Sequence, residues 1–287
     1  MTVIERLRAA NHDADVVVRT ANPAPVVVVS GLQCEAAALV GANRQLACGD
    51  APTLERRLAE LAASKPPLVI SWGTCGGLDP RLQPGDLLIG DEVACGEERI
   101  RTDADVARAL MRRLREAGGR VKTARFAAGG APVLTAGEKA QLRDQTGAAA
   151  VDTESLIAGR FAREWGVPFA ILRAVCDPAG RDLPRLAAKA VAPDGRIDFR
   201  AIFGDLARSP GQIGSVIWAA RDSAAAFSSL RRCSGLLADL LLVLGLPDFV
   251  ETLRDGVVES EDCRTLAVER NFRRHGGVDV DAAQGDC

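Results

Sequence analysis

Apolar runs alternate with stretches of helical periodicity along most of the chain. Val26-Val27-Val28-Val29 is β-branched throughout and leads into Ser30-Gly31, the pattern of a strand buried on both faces. Thr53 to Ala63 carries Leu54, Leu58 and Leu61 at helical spacing, and Pro67-Leu68-Val69-Ile70-Ser71 is a second buried strand. That strand runs into Gly73-Thr74-Cys75-Gly76-Gly77, which reads as a glycine-rich turn, and Leu87-Leu88-Ile89 is a third strand. Asp103 to Ala117 places Val106, Leu110 and Leu114 on one helical face and stops at Gly118-Gly119. Val121 to Phe126 predicts a strand, and Thr135-Ala-Gly-Glu138 is a capping box opening a helix to about Thr146. Ala149-Ala150-Val151 enters Asp152-Thr153-Glu154-Ser155, with a helix behind it to Trp165. Phe169 to Val175 predicts the last strand, ending at Cys176-Asp177-Pro178.

Strands alternating with helices, several of them continuously apolar, predict an α/β fold with a mainly parallel mixed sheet flanked by helices in three layers. After Pro184 the pattern is helical, over Phe199 to Arg208 and from Gly211 to about Arg232. Residues 1–24 are polar and close on Ala-Asn-Pro-Ala-Pro, so they read as an appendage. Residues 25–246 read as one α/β domain, and 247–287, charged and weakly periodic, as a tail. No internal repeat is present.

Composition narrows the function classes. Thirty-six Lys and Arg against 38 Asp and Glu give a formal net charge of −2, without the basic excess of a nucleic-acid binder. Aromatic residues are 4% of the chain, with no Tyr, which leaves few platforms for stacking bases. The two histidines, His12 and His275, sit near opposite ends, so a His-based triad or a His-rich metal site in the core is excluded. Eight scattered cysteines with no C-x-x-C pair fit free thiols in a reducing compartment better than zinc or a disulfide scaffold. The N-terminus lacks a signal-peptide pattern, and the most apolar stretch, Leu236 to Leu246, is too short to span a bilayer. The expectation is a soluble cytoplasmic protein.

Ligands of parallel α/β sheets gather at the carboxyl ends of the strands. Four such ends carry polar chemistry here: Gly31 with Glu35, Gly73 to Gly77, Asp152 with Glu154, and Asp177. Carboxylates on a glycine-lined rim suit ribose, because a carboxylate accepts two hydrogen bonds from a vicinal diol and a buried acid protonates a leaving group. Each residue also has an ordinary structural reading. The glycines can form a tight turn, Asp152 can be an N-cap, Glu154 can face a helix dipole, and Glu35 can cap a helix beginning at Ala36. Neither G-x-G-x-x-G at a strand end nor G-x-x-x-x-G-K-[ST] occurs, which argues against dinucleotide and P-loop readings.

Taken in order, the segments resemble a known family. Val69 to Ile89, with Gly-Thr-Cys-Gly-Gly-Leu and then Gly85-Asp86, is similar to the phosphate-and-ribose loop of the nucleoside phosphorylase and nucleosidase superfamily. Ala150-Val-Asp-Thr-Glu-Ser155 resembles its ribose motif. Gly166-Val-Pro-Phe-Ala-Ile-Leu-Arg-Ala-Val-Cys-Asp177 resembles its catalytic-aspartate strand. The segments Gly31 to Ala36, Cys48 to Glu55 and Pro193 to Asp198 look like the hopanoid-associated branch, which acts on adenosylhopane, a lipid with an adenosine headgroup.

The resemblance implies cleavage of a purine N-glycosidic bond, with adenine released and a ribosyl- or phosphoribosyl-hopane left behind. Asp177 matches the acid at purine N7, and Glu154 the carboxylate on the ribose hydroxyls. Thr74 stands near the ribose and the nucleophile, with Gly31 and Gly73 in the same loop region. Thr153 replaces the usual Met under the sugar, and Pro132 and Val133 align with the segment that reads the purine edge. Glu35 is the candidate base for water. Phosphorylases of the superfamily often carry an Arg where Ser71 or Trp72 stands here, so phosphate would need a cation from elsewhere, such as Arg44. The nucleophile, water or inorganic phosphate as co-substrate, stays open at this point, as does the alternative of a small soluble methylthioadenosine-like substrate or of a non-catalytic nucleoside binder. No other cofactor and no metal is implied, and a homo-oligomer is. Ile213 to Leu246, with Ile217, Trp218, Leu230 and Leu237, could form a greasy rim for a lipid-linked substrate or a peripheral membrane contact; it could equally be core or a subunit interface.

Overall fold

The computed structural model describes residues 25–39, 44–184 and 191–244. Residues 1–24 and 247–287, the expected appendage and tail, lie outside the described residues. The elements run β1 (Val26–Ser30), α1 (Gln33–Ala38), β2 (Arg44–Cys48), α2 (Ala51–Leu61), β3 (Val69–Gly77), β4 (Leu87–Cys95) and β5 (Glu98–Arg101). They continue with α3 (Ala104–Glu116), β6 (Val121–Ala128), α4 (Ala136–Thr146), β7 (Ala150–Asp152), α5 (Ser155–Trp165), β8 (Phe169–Asp177), α6 (Phe199–Arg208) and α7 (Ile213–Leu244).

Helix starts follow local chemistry. Asp50 accepts from Thr53 N at 3.0 Å ahead of α2, and Asp103 accepts from Asp105 N and Val106 N ahead of α3. Thr135 and Glu138 form the capping box expected at α4, which ends on Gly147 at φ 64°. The eight strands form one mixed sheet in which β1–β2, β1–β3, β3–β8, β4–β6 and β6–β7 pair in parallel. The β3–β7, β4–β5 and β4–β8 pairs are antiparallel. Because β8 joins β3 to β4 while β7 and β6 join them on the other side, strands β3, β8, β4, β6 and β7 close a ring. β1 and β2 extend it as a wing.

The continuous apolar strands have two buried faces, as the sequence predicts. Val26, Val28, Ile70, Trp72 and Leu172 pack with α3 and with Ala226, Leu230 and Leu237 of α7. On the opposite face, Val27, Val29, Val69 and Ile171 pack with Leu54 and Leu58 of α2 and Phe161 of α5. Helix, sheet and helix are the three layers expected.

Three differences from the sequence expectation have physical reasons. Gly73 to Gly77 is no turn: β3 continues to Gly77, pairing with parallel β8 as far as Gly76 across an irregularity at Cys75/Gly76 and gaining antiparallel β7 on its other side at Gly76 and Gly77. β2 and β5 were not expected, because edge strands expose one side and their sequences, Arg-Gln-Leu-Ala-Cys and Glu-Arg-Ile-Arg, are too polar to announce burial. α7 is a single helix through Leu244, and its apolar residues divide. Leu230 and Leu237 are core, whereas Ile213, Ile217 and Trp218 are exposed. Among the described residues no helix is long and apolar enough to cross a membrane.

Leu230→Ala should lower unfolding stability by about 2–5 kcal/mol through the cavity it leaves. Ile217→Ala should stay within about 0.5 kcal/mol, the range of an exposed substitution. Chemical denaturation of the two variants measures the division of α7.

Candidate active site

One cation organises the carboxyl ends of the strands. Arg173 of β8 sits opposite Gly73 of β3 in the ladder and is 1% exposed. Burying a guanidinium is unfavourable unless carboxylates and acceptors surround it. Its Nη1 lies 2.9 Å from Glu154 Oε2 and donates to Thr74 O at 3.1 Å, and Nη2 donates to Ser71 Oγ at 2.6 Å. Nε faces Asp152 Oδ2 at 3.4 Å. Asp152 and Glu154 push the Arg173 pKa up against the opposing effect of burial, so the residue is a permanent cation.

Asp152 has no position left for a ligand. Oδ1 accepts from Glu154 N and Ser155 N at 3.1 and 2.7 Å, and Oδ2 accepts from Ser155 Oγ at 2.5 Å. It therefore anchors the start of α5 and the strand end together. Glu154 is the N-cap position of α5, and the Thr153 hydroxyl donates to its Oε1. Burial pushes the Glu154 carboxyl up and Arg173 pulls it back, with the net direction upward. A Cβ on Gly31 would come within 2.5 Å of Glu154 Oε1, so only glycine lets β1 end this close to the carboxylate.

Glu35 is 2% exposed and fully engaged. Oε1 accepts from Thr74 N at 2.9 Å and from the Thr74 hydroxyl at 2.6 Å, and Oε2 accepts from Ser30 Oγ at 2.8 Å and Leu32 N at 3.2 Å. Trp72 Nε1 donates to the Glu35 carbonyl at 2.9 Å and fixes its backbone. Gly73 has φ +148°, and a Cβ there would fall 2.5 Å from Glu35 Oε2 and 3.0 Å from Arg173 Nη1. The glycine run thus lets a strand pass between a buried carboxylate and a buried guanidinium.

At the end of β8, Asp177 is 5% exposed, and burial pushes its carboxyl up to about 6 although Lys139 opposes the shift. It borders a cavity of about 340 Å³ that is also lined by Arg181, Leu183, Ser215, Trp218 and Asp222. Opposite, the loop between β6 and α4 is tied down by Leu183 N donating to Leu134 O at 2.7 Å. Within it Pro132 is exposed, and Val133 packs against Leu78, Ala127, Ala148 and Val151. Val151 in turn borders Gly76, where an added Cβ would lie 3.7 Å from Asp177 Oδ2.

Glu35, Thr74, Gly73, Gly31, Thr153 and Glu154 therefore form one cluster around Arg173. Asp177 stands at the neighbouring strand position, opposite Gly76. Two expectations are corrected. Arg44 pairs with Val26, at the far end of β1 from Gly31, so it cannot reach the glycine loop. Glu35 does not precede its helix: α1 begins at Gln33 and the carboxylate folds back from the first turn onto Leu32 N. The sequence reading assigned no role to Arg173 or Lys139. Arg173 is visible within a buried strand run, where a lone charge signals a polar network. Lys139, on an otherwise polar helix, gives no such signal.

Among the described residues no group of three or more His, Cys, Asp or Glu side chains is placed to hold a metal ion. The fold is shared with solved structures of 5′-methylthioadenosine/S-adenosylhomocysteine nucleosidases. The Neisseria meningitidis protein, in complex with methylthio-immucillin-A, is 16% identical over 75% of this chain and 99% of that chain, with a TM-score of 0.55. The Helicobacter pylori enzyme is 13% identical over 82% of this chain and 100% of its own, at 0.54. The Campylobacter jejuni enzyme is 15% identical over 74% and 99%, at 0.51. A family model described as Phosphorylase superfamily matches residues 5–205, well over half of the chain, and the protein belongs to that superfamily.

Proposed function

We propose that the protein releases adenine from an adenine nucleoside by hydrolysis of the N-glycosidic bond, with Asp177 as the acid at the purine and the Glu35–Glu154 cluster holding the sugar and the water. The observation that carries this reading is the pairing of two unlike carboxyl environments at the ends of β7 and β8, which flank β3. Asp177 is buried and pushed up to about 6, so it holds a proton for part of the time near neutrality. Glu154 and Glu35, set around Arg173, supply negative charge where a ribosyl oxocarbenium ion would develop. Protonating or hydrogen-bonding N7 lets the purine leave as a neutral base, and the electron pair of the glycosidic bond departs with it.

Charge favours water over phosphate as the nucleophile. Three carboxylates, Glu35, Asp152 and Glu154, surround one guanidinium, whose Nη1 and Nη2 already donate to Thr74 O and Ser71 Oγ and whose charge is paired with Asp152 and Glu154. An incoming phosphate dianion would meet excess negative charge, whereas water needs only a base. Glu35 is that base. The Thr74 hydroxyl on its Oε1 can rotate to a sugar hydroxyl and leave the position to a water. Thr153 forms part of the sugar floor, and Pro132 and Val133 belong to the loop that would border the purine. Among the described residues, the turn Pro193 to Gly195 closes the near edge, with Gln33 N donating to Gly195 O at 2.9 Å and Asp50 N to Pro193 O at 2.8 Å.

The substrate we propose is adenosylhopane, as the sequence resemblance implies. Supporting it, Phe199, Phe203, Ile213, Ile217 and Trp218 are exposed on α6 and the start of α7, and Trp218 also lines the Asp177 cavity. They offer a path for a long apolar 5′ substituent. The likeness in fold to methylthioadenosine nucleosidases supports a small thioether nucleoside as the second reading.

Asp177→Asn should reduce adenine release by about 10²–10⁴-fold while nucleoside binding stays within a few-fold, measured by turnover and by calorimetry. Unchanged turnover would remove Asp177 from the reaction. The kcat/KM profile of the unaltered protein should fall as pH rises through about 6, because the active form carries the proton. In a series of 5′-alkyl adenosines, kcat/KM should climb more than about tenfold over a few added methylenes, each contributing about 0.8 kcal/mol on burial. A flat series, or a preference for methylthioadenosine, favours the small substrate.

A further inference from the structure

Lys139 is the fourth residue of α4, where a positive charge opposes the helix dipole, and it is completely buried. Such a placement is unfavourable unless its surroundings require it. Its ammonium has three protons and each has a partner: Asp177 Oδ2 at 2.7 Å, Pro178 O at 3.0 Å and Arg181 O at 2.7 Å. Two of these acceptors are carbonyls of the turn that follows Asp177. The same turn is tied to α4 twice more, by Ala136 N donating to Asp182 Oδ1 at 2.8 Å and Leu183 N to Leu134 O at 2.7 Å.

On the other side, α7 presents Asp222, paired with Arg181 at 2.6 Å, and Arg181 stacks on the Trp218 ring at 5.6 Å. Asp177 is therefore faced by a cation from α4, by Arg181 of its own turn and by an acid from α7, with the Cys176 thiol beside it on β8. Among the described residues Lys139 is the one side chain that bonds the Asp177 carboxyl, and no donor reaches Oδ1.

We propose that Lys139 is a positioning residue for Asp177: it fixes Oδ2, leaves Oδ1 for the purine, and sets the carboxyl's affinity for its proton against the opposing charge of Asp222. The assignment rests on Asp177 being the acid of the reaction and adds what governs that acid. A lysine serving only to fill the core would hold the turn in place without controlling the proton.

The signs follow from the charges. Removing the Lys139 cation favours the protonated carboxyl, so its titration moves to higher pH. Removing the Asp222 anion favours the carboxylate, and it also leaves the Arg181 charge unopposed, so titration moves to lower pH. The test is a carbon-13 NMR titration of aspartate carboxyls in the full chain, with the Asp177 signal assigned by its loss in Asp177→Asn.

The unaltered protein should titrate at about 6. Lys139→Met should titrate about 1–3 pH units higher, and Lys139→Arg close to the unaltered protein. Asp222→Asn, a change on the outer helix, should titrate lower. Where Lys139→Met does not fold, Lys139→Gln, which keeps a donor at this position but not the charge, takes its place and should also titrate higher. An unmoved or downward titration in folded Lys139→Met, or an unmoved or upward one in Asp222→Asn, overturns the proposal. If the titrations move as expected but Asp177→Asn turns over normally, the role of Asp177 in the reaction fails and the control of its proton stands.

Discussion

A single buried guanidinium decides how the strand ends of this protein can be arranged. Arg173 is almost fully withdrawn from water, and its isolation would be untenable without Glu154, Asp152, Ser71 and the Thr74 carbonyl around it. Those partners come from β3 and from the β7–α5 junction, while Arg173 itself stands on β8. Satisfying one side chain therefore fixes three segments relative to one another. Gly73 follows from the same constraint, since a side chain there would collide with both Arg173 and Glu35.

Once the guanidinium is placed, two carboxyl environments separate within a few residues. Glu154 lies beside the Arg173 guanidinium, whereas Asp177, at the end of the same strand that carries Arg173, is paired with the Lys139 ammonium and is still pushed up to about 6 by burial. Unequal environments let one acid hold a proton while its neighbours hold negative charge, which is what breaking a glycosidic bond demands. Asp177 also has its own charged neighbours, the Lys139 cation from α4 and the Asp222 anion from α7, so its proton is governed from outside the Arg173 cluster.

The layers and the four polar strand ends were legible in the sequence because apolar runs and capping residues are local signals. Val26 to Val29, the Thr135 capping box and Asp177 before Pro178 all behave as their neighbours suggest. What depends on partners distant in sequence was not legible. The strand character of Gly73 to Gly77 comes from β8 and β7, about 75 to 100 residues away, and local glycine content points to a turn instead. Arg44 looked like an available cation until the register of β2 against β1 placed it at the wrong end. Lys139 sits among exposed polar residues, and only the turn after β8, 39 residues on, gives it a buried role. The apolar stretch of α7 mixes core and surface because the helix leaves the sheet at its N-terminal end.

The central claim is that the negatively charged cluster around Arg173 admits water, and not phosphate, to the sugar. Adenine release from a 5′-alkyl adenosine in oxygen-18 water, run with and without phosphate, tests it directly. The account predicts a rate independent of phosphate and one oxygen-18 atom on the anomeric hydroxyl of the sugar product. Release that requires phosphate and yields an unlabelled sugar 1-phosphate would contradict it.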